Sequence, residues 1–246
     1  MKSRLVVKKI LVKYTPFLVP YVRKVCQFSV EIVERCKNII MYKLLGKRRN
    51  RNQWLREKRA VWEMNLKKVM SSWEETEVNS PYYFKRLKFS VSKARGRVLE
   101  IGCGIGAMTK WLSEAKEVEE IVAIDAFSEA INELKKLNLA KVIPLEMKLE
   151  HIQFDAQKKF DTVLICEVLE HIYPDEELKM LNAIRSYIDS TTRYVISTPI
   201  VWMPDPHHVR FFSKKRFKKH LKLLYGDPIE INYSSEHSQV AWGYFK

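Results

Sequence analysis

Within five residues, Glu167-Val168-Leu169-Glu170-His171, the chain sets two carboxylates and an imidazole. These are the side chains that exchange protons and bind divalent cations near neutral pH. A second source of imidazole follows in Pro206-His207-His208-Val209-Arg210-Phe211-Phe212-Ser213. Upstream, Glu100-Ile101-Gly102-Cys103-Gly104-Ile105-Gly106 puts three alternating glycines behind an acid. Such a run lets the backbone turn sharply and approach a ligand closely. Asp125 stands about twenty residues further on, where a carboxylate can accept hydrogen bonds from ribose hydroxyls. The patterns describe a turn that cradles a cofactor and, later in the chain, a place where a proton or a cation is handled.

Those residues need a scaffold, and the texture from Arg97 onward supplies one. Short β-branched runs recur at Val98–Ile101, Ile121–Ile124, Val142–Leu145, Thr162–Ile165 and Tyr194–Ser197, with amphipathic stretches between most of them. That alternation predicts a parallel sheet with crossover helices. Pro174 followed by Asp175, Glu176 and Glu177 reads as a helix start. It leaves Glu167–His171 at the carboxyl end of a central strand, where open α/β sheets bind ligands. At the end of the chain, Ile229–Tyr233 and Val240–Phe245 are strands joined too closely to be parallel.

VLEIGCGIG with IVAIDAF resembles motifs I and II of the class I S-adenosyl-L-methionine (SAM) dependent methyltransferases, and the resemblance covers about Val98 to Lys246. The G-x-G-x-G spacing differs from that of dinucleotide folds. Glu100 would repel a pyrophosphate but suits a ligand with a cationic amino group. The resemblance implies a Rossmann-like α/β fold, mostly parallel with an antiparallel C-terminal hairpin. It implies that Glu100, Gly102, Cys103 and Gly104 border the methionine part of SAM and that Asp125 holds the ribose. Ala126 and Phe127 would lie beside the adenine, and Cys166 would border the same pocket. Many relatives carry an acid after the third strand that meets the adenine amine. Lys148 falls there in this chain, so either Glu146 substitutes or the contact is missing.

The E-x-x-E-H segment paired with a later histidine resembles two methyltransferase groups, the small-RNA 3′-terminal 2′-O-methyltransferases and the ubiquinone-pathway O-methyltransferases. By that resemblance Glu167, Glu170, His171 and His208 would hold Mg²⁺ or Mn²⁺, with His208 preferred to His207 for its spacing to Ser213. A divalent cation stabilises an alkoxide and so activates a hydroxyl. Two other roles stay open on the same residues. His208 or His171 acts as a direct base beside Glu167, or the carboxylates only shape the SAM pocket.

Composition bounds the rest. The net charge of +15 sits in residues 1–70, with 19 Lys+Arg against 4 Asp+Glu; the other residues hold 25 of each (44 − 19 and 29 − 4). The expected organisation is a basic amphipathic helical arm at 1–70, a linker and pocket-capping segment at 71–87, and a methyltransferase domain at 88–246. Cys26, Cys36, Cys103 and Cys166 lack C-x-x-C spacing, which fits a reduced, cytoplasmic setting. The apolar stretch from Phe17 to Leu45 carries too many charges to span a bilayer. The arm has three readings: a surface for anionic lipid at the inner membrane face, a phosphate-binding element for nucleic acid, or a stripe packed on the body. The membrane reading leads, and nucleic acid is less favoured because the body is neutral. The leading expectation is O-methylation of a hydroxyl on a sugar, a lipid-linked glycan or a related acceptor. RNA 2′-O-methylation and a non-catalytic SAM-binding interaction protein are the rivals.

Overall fold

The structure is a computed structural model, and its described residues are 81–154, 158–200, 208–233 and 238–246. The chain divides into two units, Met1–Glu57 and Lys58–Lys246, and every described residue belongs to the second. The arm at 1–70 and residues 71–80 of the expected linker therefore lie outside the described residues. From residue 81 the expected linker is instead helical. The first described helix, α1, runs Pro81–Lys93 across the boundary expected at 87/88, with proline at its first position, where a missing N–H costs nothing.

The strands follow the β-branched runs: β1 Gly96–Ile101, β2 Val118–Asp125, β3 Val142–Glu146, β4 Thr162–Cys166, β5 Arg193–Pro199, β6 Glu230–Tyr233 and β7 Ser238–Tyr244. The helices between them are α2 Ala107–Glu114, α3 Ser128–Lys136, α4 Pro174–Ile184 and α5 Lys214–Leu224. They form one seven-stranded sheet in the order β3-β2-β1-β4-β5-β7-β6. β7 is antiparallel to both β5 and β6, and the remaining pairs are parallel. The expected Rossmann-like sheet with an antiparallel C-terminal hairpin is the observed fold. Pro144 lies in β3, which among the described residues pairs only with β2, and an edge strand tolerates the missing donor. Between β3 and β4 the described chain makes only the 3-10 turn Leu149–His151.

Strand alternation sorts the core into two layers. Leu99, Ile101, Val163, Ile165 and Ile196 pack with Met180 and Ile184 of α4 and Phe217 and Leu221 of α5. Val98, Ile121, Leu164 and Val195 pack with Leu87 of α1, Met108 and Leu112 of α2, and Ile131 and Leu134 of α3. Glu100 shares the face of Val98, so its carboxylate is sunk among apolar side chains.

Candidate active site

The glycine turn begins where β1 ends. Gly102 and Cys103 both donate their N–H to the Ile124 carbonyl, at 2.8 and 3.0 Å. Gly102 has φ +73, and a Cβ there would lie 2.5 Å from Val168 Cγ2. The glycine lets the Glu167–His171 segment sit directly against the turn. Gly104 has φ +53, and a Cβ there would meet nothing within 4 Å. The space a side chain would fill there is open. The Asp125 carboxylate spans the gap between β1 and β2, accepting from Gly104 N at 2.9 Å and from Phe127 N at 3.0 Å. Glu146, exposed at the end of β3, is the register partner of Asp125.

Glu100 is 5% exposed, and its Oε2 finds no hydrogen-bond partner among the described residues. Burial, with a smaller push from Asp125, raises its carboxyl to about 8. An orphaned, desolvated carboxylate oxygen beside a glycine turn fits a ligand that brings its own ammonium, as the methionine end of SAM does. Burial disfavours the thiolate form of both described cysteines. Burial pushes the Cys103 thiol well above its usual range and the Cys166 thiol to about 11.

Beyond β4 the chain turns through Glu167, whose φ of +56 puts a non-glycine residue in the left-handed region. Such strain persists where surrounding contacts over-determine it, and here three do. Glu167 N donates to Ser197 O at 3.0 Å. Ser197 Oγ donates to its Oε1 at 2.8 Å, and Arg86 Nη1 of α1 meets its Oε2 at 2.7 Å. Glu170 is 2% exposed and accepts from Thr198 Oγ1 at 3.2 Å. Burial, then the neighbouring Glu167 carboxylate, pushes the Glu170 carboxyl well above its ordinary range.

Glu170, His171 and His208 come together, each offering one ligand atom, with all these atoms within 4.8 Å of one another. The two imidazole rings meet edge to face, centroids 4.8 Å apart. Glu167, expected as a fourth member, is drawn instead toward Arg86 and Ser197, and His207 lies outside the described residues. His208 is delivered by the chain that follows it. Val209 N and Arg210 N donate to Glu170 O at 2.8 and 3.2 Å, and Arg210 Nε donates to Leu169 O at 2.8 Å. Ser213 then caps α5, its Oγ accepting from Arg216 N at 3.3 Å. Arg86, Ser197, Thr198 and the Arg210 clamp were not among the expected site residues. A lone arginine in an aromatic stretch has no motif, and hydroxyls at a strand end are common.

The sheet order, the glycine turn with its two acids, and the polar cluster at the carboxyl end of β4 give the described residues the fold of class I SAM-dependent methyltransferases. The comparisons agree. Residues 99–192 match a family described as "Methyltransferase domain". The chain is 31% identical over 106 residues to Nodulation protein S of Azorhizobium caulinodans, covering 42% of this chain and 49% of that protein. It is 23% identical over 205 residues to N-methyltransferase 4 of Papaver somniferum, covering 74% of this chain and 53% of that protein. The chain thus spans about half the length of the curated relatives it matches. A similar solved fold is the Burkholderia thailandensis 1,6-didemethyltoxoflavin-N1-methyltransferase with bound 1,6-didemethyltoxoflavin and S-adenosylhomocysteine. Its TM-score is 0.61 at 17% identity, over 77% of this chain and 89% of that one.

Proposed function

We propose that the chain transfers the methyl group of SAM to a hydroxyl oxygen of a sugar, glycolipid or related acceptor, with Glu170, His171 and His208 handling that hydroxyl. The observation that carries this reading is the convergence of one buried carboxylate and two imidazoles at the carboxyl ends of β4 and β5. A hydroxyl is a poor nucleophile until its proton has somewhere to go, and an imidazole within reach takes it. As the acceptor oxygen bonds to the methyl carbon, the carbon–sulfur bond breaks with its electron pair going to sulfur. The acceptor proton passes to His208 or His171. The protein's main task is to align oxygen, carbon and sulfur in line.

In this reading Glu100 takes the ammonium of SAM, and the Gly102–Gly104 backbone with Cys103 follows the methionine. Asp125 keeps lone pairs for the ribose, Ala126 and Phe127 flank the adenine, and Cys166 borders the pocket. One carboxylate oxygen and two imidazole nitrogens also suit Mg²⁺ or Mn²⁺, with coordination positions left over for an acceptor. A divalent cation bound there would lower the pKa of a hydroxyl that touches it. Glu170, His171 and His208 would then hold it, while Glu167 stays with Arg86 and Ser197. The charge of residues 1–70 supports recruitment to an anionic membrane surface.

A second reading, methyl transfer to an amine, is favoured by the names of two relatives, both N-methyltransferases. One experiment separates the readings. Labelled methyl is transferred from SAM into cell extract, with and without EDTA. The products are separated into lipid-glycan, RNA and small-molecule fractions, and the linkage is read by mass spectrometry. An O-methyl product in the glycan fraction supports the proposal, and loss of label with EDTA adds the cation. N-methyl product rejects oxygen, and label in RNA moves the reading to 2′-O-methylation. SAM binding with no transfer to any fraction leaves a SAM-binding protein without transferase activity.

A further inference from the structure

We infer that the exposed cationic face of α5 is a docking surface for an anionic lipid bilayer. The inference stands on the body's own surface and does not depend on the identity of the acceptor.

Helix α5, KKRFKKHLKLL, carries Lys214, Lys215, Arg216, Lys218, Lys219 and Lys222 and no acidic residue. All six cations are exposed, while Phe217 and Leu221 are buried in the core. Helical spacing arranges the outer face in two adjacent ridges, Lys214-Lys218-Lys222 and Lys215-Lys219-Leu223, each about 12 Å long. Of these, Lys222 alone has an ion pair described, an exposed one with Asp227 at 3.3 Å.

This arrangement works against the helix itself. Three cations occupy the first turn, where the helix dipole favours anions. Lys214/Lys218, Lys218/Lys222 and Lys215/Lys219 are like-charge pairs at i,i+4, which weaken a helix. The same chain obeys the rule elsewhere: α4 opens with Asp175, Glu176 and Glu177, and α3 closes with Lys135 and Lys136. Locally unfavourable choices concentrated on one face are expected where a function compensates them. A dense anionic surface removes both conflicts at once.

The chemistry of the face favours lipid over nucleic acid. Leu223 is 64% exposed at the end of a lysine ridge, where an apolar side chain gains from hydrocarbon and not from a phosphate backbone. No exposed ring on α5 is available to stack a base. The nearby Tyr233 ring is exposed and has the Lys214 ammonium over one face at 4.1 Å. That contact also orients the surface. β6 runs parallel to β5, because both are antiparallel to β7. Tyr233 at its C-terminal end is therefore at the ligand end of the sheet. Docking through α5 holds its first turn, which begins six residues after His208, against the bilayer.

The test uses the full chain and sedimentation with phosphatidylcholine vesicles, with and without phosphatidylglycerol. The parent protein is expected to bind only the anionic vesicles and to be released by high salt. Lys218→Glu with Lys222→Glu should weaken that binding about tenfold or more. Lys135→Glu with Lys136→Glu, the same charge change on α3, should change it little. Leu223→Ala is a milder variant that leaves the charge alone and should cost a few-fold. Circular dichroism and retained SAM binding show that each variant is folded; should the reversal fail to fold, Lys218→Ala with Lys222→Ala replaces it. Unchanged vesicle binding of the α5 variants overturns the inference. So does equal loss in the α3 control, or RNA binding that the α5 reversal abolishes while vesicle binding persists. Methyl transfer is not read in this assay, so its outcome is separate from that of the proposed activity.

Discussion

Arg210 Nη1 meets Glu177 Oε2 at 2.5 Å where the two side chains are 8% and 1% exposed. The other Glu177 oxygen is shared by His220 Nε2 at 2.8 Å and Tyr225 OH at 2.5 Å. Through its Nε on the Leu169 carbonyl, Arg210 joins α4, the Glu167–His171 segment and the chain that carries His208. This buried ion pair is the strut on which the site's two histidines are set.

Removing one partner strands a buried charge. Glu177→Ala is expected to destabilise by about 3–5 kcal/mol, read as a fall in urea midpoint. Burial pushes the Glu177 carboxyl up, but His220, Arg210 and Tyr225 outweigh it and hold the group below its usual range. Its contribution is therefore present above the ordinary carboxylate range and is lost as pH falls through the lowered value. Glu177→Ala should flatten the acid limb of a stability–pH curve. An unaltered acid limb would show that the pair is not coupled to folding.

Glu100 has the opposite sign. With its carboxyl raised to about 8 by burial, it favours folding while protonated. That contribution is lost as pH rises toward 8. Glu100→Gln should raise the melting temperature of the ligand-free protein in mildly alkaline buffer and weaken SAM binding. Calorimetry in buffers of different ionisation enthalpy should show the parent releasing about one proton on binding SAM at pH 7. The variant should release none.

Gly104→Ala separates fold from pocket. The new Cβ meets no protein atom within 4 Å, so its stability cost is the left-handed backbone, roughly 1–2 kcal/mol. SAM affinity should fall by more than that, about thirtyfold or beyond. Were affinity to fall no more than stability, the open space at Gly104 would not be the cofactor's.

His208→Ala and His171→Ala test the cluster by kinetics. Loss of a group that moves the acceptor proton is expected to lower kcat on the order of 10²–10⁴-fold with SAM affinity near that of the parent. Equal loss in both variants points to a shared role, and loss in His208→Ala alone points to a single base. Full activity in both would remove the cluster from the chemistry.

Local pattern was enough for much of this protein. β-branched runs of strand length, a glycine turn between strand and helix, and an acid at the end of the next strand are properties of contiguous residues. Periodicity and turn chemistry therefore placed the sheet, Glu100, Gly102, Gly104 and Asp125 without reference to the rest of the chain. The segment ending at residue 87 read as a linker because aromatic and basic residues hide its helix period. In the fold, Leu87 and Ser90 of α1 are buried on the body. Only tertiary structure decided which polar groups meet. Arg86 and Glu167 are 81 positions apart (167 − 86), and Glu177 and Tyr225 are 48 apart. Arg86 takes Glu167 out of the cluster that its spacing in the chain predicts, while Val209 and Arg210 bring His208 in. Contacts over such separations are set by how helices dock on a sheet, and strand and helix propensities carry no information about docking.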